Sequence, residues 1–282
     1  MQRFIVGLSL LAPASAFSIG GAPRPSALAR RAPHDPCASI AVFGASGGTG
    51  SEAVLQALER GEEVTCLVRD ASKLVAPRSA AGFTEGAPFG SDKLSVVTGS
   101  VTNKADVDAV FEGKGVTGVV VALGGKTSDV GATMLQDGTT NIVAACKAND
   151  VKRISVVTTI GAGDSMDQAP FAFKLLMWTV MKSIMEDKNE QEKVVTAAGD
   201  LEYCIVRPGG LKSEPPTGIV TAGQDQEAGA ITRADVAAFC LDAVIEPDFK
   251  FVKQAVSISS NMGSGFDSVL SDKTKSRMAA KK

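Results

Sequence analysis

Histidine is almost missing from this chain: His34 is the one example in 282 residues. It falls in a leading stretch with the composition of a targeting segment, so the body of the protein has none. That removes Ser-His-Asp chemistry, histidine acid–base work and histidine metal ligation. Aromatic residues are also scarce at 5%, with a single tyrosine, Tyr203, and a single tryptophan, Trp178. The five cysteines, Cys37, Cys66, Cys146, Cys204 and Cys240, form no CxxC pair, so neither a zinc site nor a disulfide framework is expected. Several lie in apolar runs and suit small buried hydrophobes. No apolar run reaches the roughly 18–20 residues of a membrane-spanning helix. Removing Arg3, Arg24, Arg30 and Arg31 with the first 34 residues leaves 25 basic against 31 acidic residues, a net charge of about −6 where the whole chain has −2. An acidic body lacks the basic surface that dominates nucleic-acid affinity, and nucleic acid is not an expected partner.

The leading segment carries two signals. Arg3 precedes an apolar stretch from Phe4 to Ala12, and Ala14-Ser15-Ala16 supplies a small-x-small cleavage pattern, which makes residues 1–16 a signal peptide. Residues 17–35 are rich in Ala, Ser, Pro and Arg, as in a transit peptide. The Ala-Ser-Ala-Phe junction resembles the bipartite presequences of algae with secondary plastids, implying a plastid location in the stroma or at the thylakoid surface. Residues 36–260 are expected to form one domain, with a disordered tail over 261–282.

Glycine is abundant, at 29 residues, and much of it punctuates alternating strand and helix patterns. Strands are expected over 39–43, 64–68, 94–98, 118–123, 153–158, 201–206 and 254–257. Helices are expected over 51–60, 106–111, 131–149 and 232–245, with a helical region over 169–198 broken near Asp187. This alternation predicts an α/β fold: a Rossmann-like doubly wound parallel sheet in a single domain.

The first strand runs directly into Gly44-Ala45-Ser46-Gly47-Gly48-Thr49-Gly50, and a helix follows. A Gly-x-x-Gly-x-x-Gly between strand and helix is the setting a dinucleotide site needs. Its glycines allow a tight turn and close backbone approach, while the helix N-terminus faces phosphate. After the second strand come Arg69, Asp70 and Lys73. Arg69 and Lys73 suit the 2′-phosphate of NADP, whereas Asp70 suits the ribose hydroxyl of NAD; NADP is the expected cofactor, with NAD the alternative. Ser100 and Val101 follow strand three, and Leu123 and Gly124 follow strand four, both at strand ends that line such crevices.

These stretches, with Leu67-Val68-Arg69-Asp70, Asn141-Ile142-Val143, Val151-Lys152-Arg153 and Ile205-Val206-Arg207-Pro208-Gly209, resemble the atypical short-chain dehydrogenase/reductase superfamily. The resemblance is to its NAD(P)H-binding, NmrA-like branch, with biliverdin reductase B and flavin reductase-like members. It spans nearly all of 39–258. It implies that Ser46, Thr49, Thr158 and Pro208 join the glycines at the cofactor. Conventional members carry a Tyr-x-x-x-Lys pair. If Lys188 is that lysine, the tyrosine position holds Ile184, and the usual acid–base pair is absent. Thr159 stands at the usual serine position, leaving Thr159 and Lys188 as candidate catalytic residues; Lys188 or Lys193 also suits the nicotinamide ribose.

Two functions lead, and isomerase or epimerase chemistry stays open as a third. One is an NADPH-dependent reductase of a small planar acceptor such as a flavin, quinone or tetrapyrrole, since hydride transfer does not strictly need a protein acid. The other is a non-enzymatic, NADPH-sensing assembly or scaffold protein of the photosynthetic apparatus, docking through the apolar segment 171–181.

Overall fold

The computed structural model describes residues 39–77, 86–125, 131–169, 174, 175, 177, 179, 181–224 and 229–260. The presequence, the tail and, within the apolar segment, Phe171, Phe173 and Trp178 lie outside the described residues.

Strand β1 (Ser39–Phe43) is buried along its whole length, which is why it reads as an unbroken apolar run. It leads into helix α1 (Gly48–Glu59) and back to β2 (Glu63–Val68), with β3 (Leu94–Thr98) beyond it. The chain then passes α2 (Lys104–Asp108) and crosses to the other side of β1. There it lays down β4 (Gly118–Val121), α3 (Met134–Ala148), β5 (Arg153–Val157), α4 (Lys182–Thr196) and β6 (Glu202–Pro208). Strands β7 (Gly210–Lys212), β8 (Thr221–Gly223) and β9 (Ala230–Thr232), helix α5 (Arg233–Ile245) and β10 (Gln254–Ser259) complete the described chain. The eight-stranded sheet has the order β3-β2-β1-β4-β5-β6-β10-β8. All neighbours are parallel except β10 and β8, which run antiparallel at one edge. Strands β7 and β9 pair separately.

Each face of the sheet has its own apolar core. On one, α1 and α5 cover Ile40, Val42, Val120, Val206 and Ile258; on the other, α2, α3 and α4 cover Phe43, Val119, Ile154 and Ile205. The largest of these are fully buried, each worth about 1.5–3 kcal/mol over exposure. Cys66, Cys146, Cys204 and Cys240 are free and buried. Burial pushes the Cys66, Cys146 and Cys240 thiols up to about 12, so they stay protonated at neutral pH and pack as small hydrophobes.

The structure departs from the expected pattern in two places. Helix α4 runs unbroken through Asp187. The carboxylate there serves a neighbouring helix: its oxygens accept from Leu135 N and Gln136 N at 2.9 Å each, capping the start of α3, which has no side-chain cap of its own. Strands β7, β8 and β9 have three residues each, too few to display a period of two. No helix among the described residues is long and apolar enough to cross a membrane.

Candidate functional site

The order β3-β2-β1-β4-β5-β6 places a topological switch between β1 and β4, since the chain winds one way from β1 and the other way from β4. A crevice opens beyond the carboxyl ends of such strands. Here it is a cleft of about 770 Å³ running from the β2 end to the β5 end, within the 300–1,000 Å³ typical of small-molecule sites.

The floor of the cleft is the glycine-rich turn. Gly44 has φ +83, a conformation that favours glycine, and a Cβ on it would strike the backbone of Ala122. Ser46, Gly47, Gly48 and Thr49 line the cleft with it. Gly50 is not among the lining residues. A Cβ there would meet the Gly44 carbonyl, so this third glycine serves the packing of α1 against the turn. The N-cap of α1 is Gly47, with no side-chain cap bond and no acidic residue in the first turn. A helix start of this kind presents backbone N–H groups and a positive dipole end to an anion.

At the β2 end, Arg69 is exposed and lines the cleft with Lys73. Asp70 is turned to another task. Its Oδ1 accepts from Ser72 N at 3.0 Å and Ser72 Oγ at 2.6 Å, which caps the short turn Ala71–Lys73. Those Ser72 bonds, with Lys73 nearby, hold its carboxyl below the usual range. Asp70 is absent from the cleft lining, so of the two competing signals after β2 only the cationic one faces the crevice.

Ser100 and Val101 line the next stretch of wall. Ser100 N donates to Asp106 Oδ2 at 2.8 Å, and Asn141 Nδ2 donates to Val101 O at 2.9 Å, so α2 and α3 jointly fix the loop after β3. Leu123 and Gly124 line the wall after β4.

The β5 end is constructed differently. Thr158, Thr159 and Lys188 line it. Thr158 Oγ1 donates to Glu192 Oε1 at 2.7 Å, and Lys188 Nζ donates to Thr158 O at 3.2 Å. Behind them lies an ion pair whose side chains are each 6% exposed: Arg207 Nη2 donates to Glu192 Oε2 at 2.6 Å and Nε to Oε1 at 3.0 Å. Arg207 also reaches Asp164 at 2.5 Å, and that bond draws the Asp164 carboxyl below its usual range. Burial pulls the Lys188 ammonium down to about 8, against the opposing pull of the Glu192 and Asp187 carboxylates. A side cavity of about 170 Å³ opens beside it, lined by Ile184 one turn before Lys188, and by Met134, Leu135 and Met181.

Besides Gly50, two residues expected at the cofactor lie away from the cleft. Pro208 is buried at the end of β6, does not line the cleft, and accepts at its carbonyl from Ile160 N at 3.0 Å. Lys193 is exposed and bonded to Glu190 at 2.6 Å, away from the cleft. Of the apolar segment, Met177 is buried against Ile160, Ala162 and Met185, while Leu175 is exposed. One cleft cation escaped the sequence reading: Arg233, the first residue of α5, lines the wall beside Gly48. The lining thus carries Arg69, Lys73, Lys188 and Arg233 and, among the described residues, no carboxylate. Among the described residues there is also no group of three His, Cys, Asp or Glu side chains that suits a metal.

Comparison with known proteins agrees with this geometry. A family model described as NAD(P)H-binding matches residues 44–247. An uncharacterized chloroplastic protein of Arabidopsis thaliana is 31% identical over 222 residues, covering 75% of this chain and 74% of that protein. Among solved structures, ChuY, an anaerobillin reductase from Escherichia coli O157:H7, has a similar fold. Its TM-score is 0.63 at 23% identity, over 79% of this chain and 98% of that one. A short-chain dehydrogenase/reductase from Veillonella parvula in complex with NADP gives a TM-score of 0.64 at 14% identity, over 80% and 96% of the two chains. At such identities these two structures speak for the fold alone.

Proposed function

The chain belongs to the NAD(P)H-binding family, and on that footing we propose that it is an NADPH-dependent reductase of a planar acceptor such as a flavin, quinone or tetrapyrrole. The observation that carries this reading is the cleft itself: four cations and no carboxylate among its described lining residues, in a protein whose acidic residues outnumber its basic ones. Such a strip selects a polyanion. Arg69 and Lys73, with Asp70 turned away, suit a 2′-phosphate and favour NADPH over NADH. The backbone from Ser46 to Thr49 and the start of α1 suit the diphosphate. Ser100, Val101, Leu123 and Gly124 form the walls between.

A bound nicotinamide dinucleotide supplies the hydride. The chain supplies position and a proton. Lys188 holds an ammonium at the β5 end of the cleft, steadied by the Thr158 carbonyl, and donates its proton to the reduced acceptor; solvent then restores it. Thr159 offers a hydroxyl to an acceptor carbonyl. Ile184, Met134 and Met181 present an apolar side cavity to the acceptor's ring edge. A chain of similar fold is an anaerobillin reductase, which keeps a tetrapyrrole in the acceptor panel. Residues 1–35 and the chloroplastic relative support a plastid location, and the Ala-Ser-Ala-Phe junction favours a secondary plastid of algal type.

Mixing the full chain with NADPH and, in turn, a flavin, a quinone and a linear tetrapyrrole tests the proposal. Oxidation of NADPH above the protein-free rate with one of them is expected. Tight NADPH binding with no oxidation in any mixture would turn the reading to a cofactor-sensing assembly protein, which Ile184 in the place of a tyrosine would favour.

A further inference from the structure

Arg233 stands outside the motif from which a dinucleotide site is read. It arrives from α5, the last helix among the described residues, and its setting is tightly specified. Thr232 caps α5: its Oγ1 accepts from Asp235 N at 2.9 Å and donates to Asp235 Oδ2 at 2.8 Å. Asp235, buried, also accepts from Thr217 N, Thr217 Oγ1 and Gly218 N, which fixes the loop beside the helix start. The first turn of α5 is therefore anchored, and it sends the Arg233 side chain across the first turn of α1. Space for it exists because residue 48 is glycine. A Cβ on Gly48 would lie 2.7 Å from Arg233 Cδ and 2.8 Å from Nε. One guanidinium N–H donates to Ser213 Oγ at 2.8 Å. Burial lowers the guanidinium's pKa, with the Glu52 carboxylate opposing, and a group of this kind stays charged at neutral pH.

A cation packed on the hollow at Gly48 adjoins the N–H groups that open α1. Arginine's planar fork matches phosphate oxygens with two parallel bonds. We propose that Arg233 is a second anchor for the bridging diphosphate of the dinucleotide, closing over the glycine-rich turn from the opposite end of the chain. The inference rests on the cofactor reading above. It gives the two cation sets of the cleft separate tasks: Arg69 and Lys73 read the 2′-phosphate, and Arg233 reads the group that NADPH and NADH share. Gly48, by the same argument, is the glycine that admits the arginine.

Calorimetric titration of the full chain with NADPH and with NADH tests this. Arg233→Gln is expected to weaken both by the same factor, roughly 10- to 100-fold as for loss of charge-assisted hydrogen bonds, with the melting temperature held. Gly48→Ala is expected to weaken both in the parent protein and to add little in an Arg233→Ala background, where the side chain it displaces is gone. Should Arg233→Gln prove unstable, Arg233→Lys keeps the charge without the fork, and a smaller loss on both nucleotides is expected. Unchanged affinities overturn the inference. So does a loss confined to NADPH, which would make Arg233 a 2′-phosphate reader, or a rise in acceptor KM alone. Binding of neither nucleotide by the parent protein overturns the cofactor reading itself, and the inference with it.

Discussion

At the β2 end of the cleft the charged groups stand in solvent; at the β5 end they are embedded. Arg69 is exposed, and Lys73 sits on a turn capped by Asp70, with its side chain 74% exposed. Lys188 instead leans on the Thr158 carbonyl, one step from a Glu192–Arg207 pair that water barely reaches. Exposed cations contribute little to folding, because water solvates them as well as a partner does. A buried pair is part of the fold, since removing one member strands the other without solvent. One cleft therefore joins a solvated end that tolerates change to a buried end that does not.

The largest expected effect tests that contrast on stability. Arg207→Met leaves the Glu192 carboxylate buried without its cation and is expected to remove about 3–5 kcal/mol of folding free energy in urea denaturation. Arg69→Ala, measured alongside, is expected to shift it by no more than about 0.5 kcal/mol. Equal effects from the two would erase the distinction between the ends.

Next in size is the proposed proton donor. Lys188→Met is expected to slow NADPH-dependent reduction by about 100-fold or more, with a much smaller change in NADPH affinity. In the proposed reaction the charged ammonium is the donor, so the parent rate should fall as pH rises through about 8. The variant should lack that fall. A parent rate flat across this range would remove Lys188 from the proton transfer. Smaller again is the effect on cofactor choice: Arg69→Ala is expected to weaken NADPH about tenfold and leave NADH unchanged in calorimetry. Lys73→Ala, which removes a more flexible, solvated charge, should weaken NADPH by only about two- to threefold. A parallel loss of NADH would mean that the β2 end does not read the 2′-phosphate.

The β2 end was also the more legible in the sequence. Strand β1, the glycine turn, α1 and β2 are contiguous, and each shows its own periodicity, so order along the chain is also order in space. The β5 end assembles from residues far apart. Nothing in the charged run Glu186-Asp187-Lys188-Asn189-Glu190 announces that Asp187 caps α3 while Lys188 turns to the cleft; as text, the run suggests a break in the helix. Glu192 and Arg207 lie on different elements, and their pairing follows only once α4 packs beside β6. Arg233 had a local signal, the Thr232–Asp235 cap, but that signal marks where a helix begins and says nothing of what its first side chain will cover. The motif glycines were legible as a set but not in their division of labour. Gly44 makes the turn, Gly50 admits α1 to it, and Gly48 leaves room for an arginine.

The amino-acid sequence by itself determined the alternation of strand and helix, the parallel sheet and the glycine turn that opens the cleft. These follow from local backbone preference and short-range apolar pattern. Tertiary structure alone decided that Asp70 faces away while Arg69 and Lys73 face in, that Ile184 lines a cavity beside Lys188, and that α5 returns to α1. The reason is physical: a side chain's partners are set by packing between elements distant in the chain, and burial then fixes which charges stay and what they do.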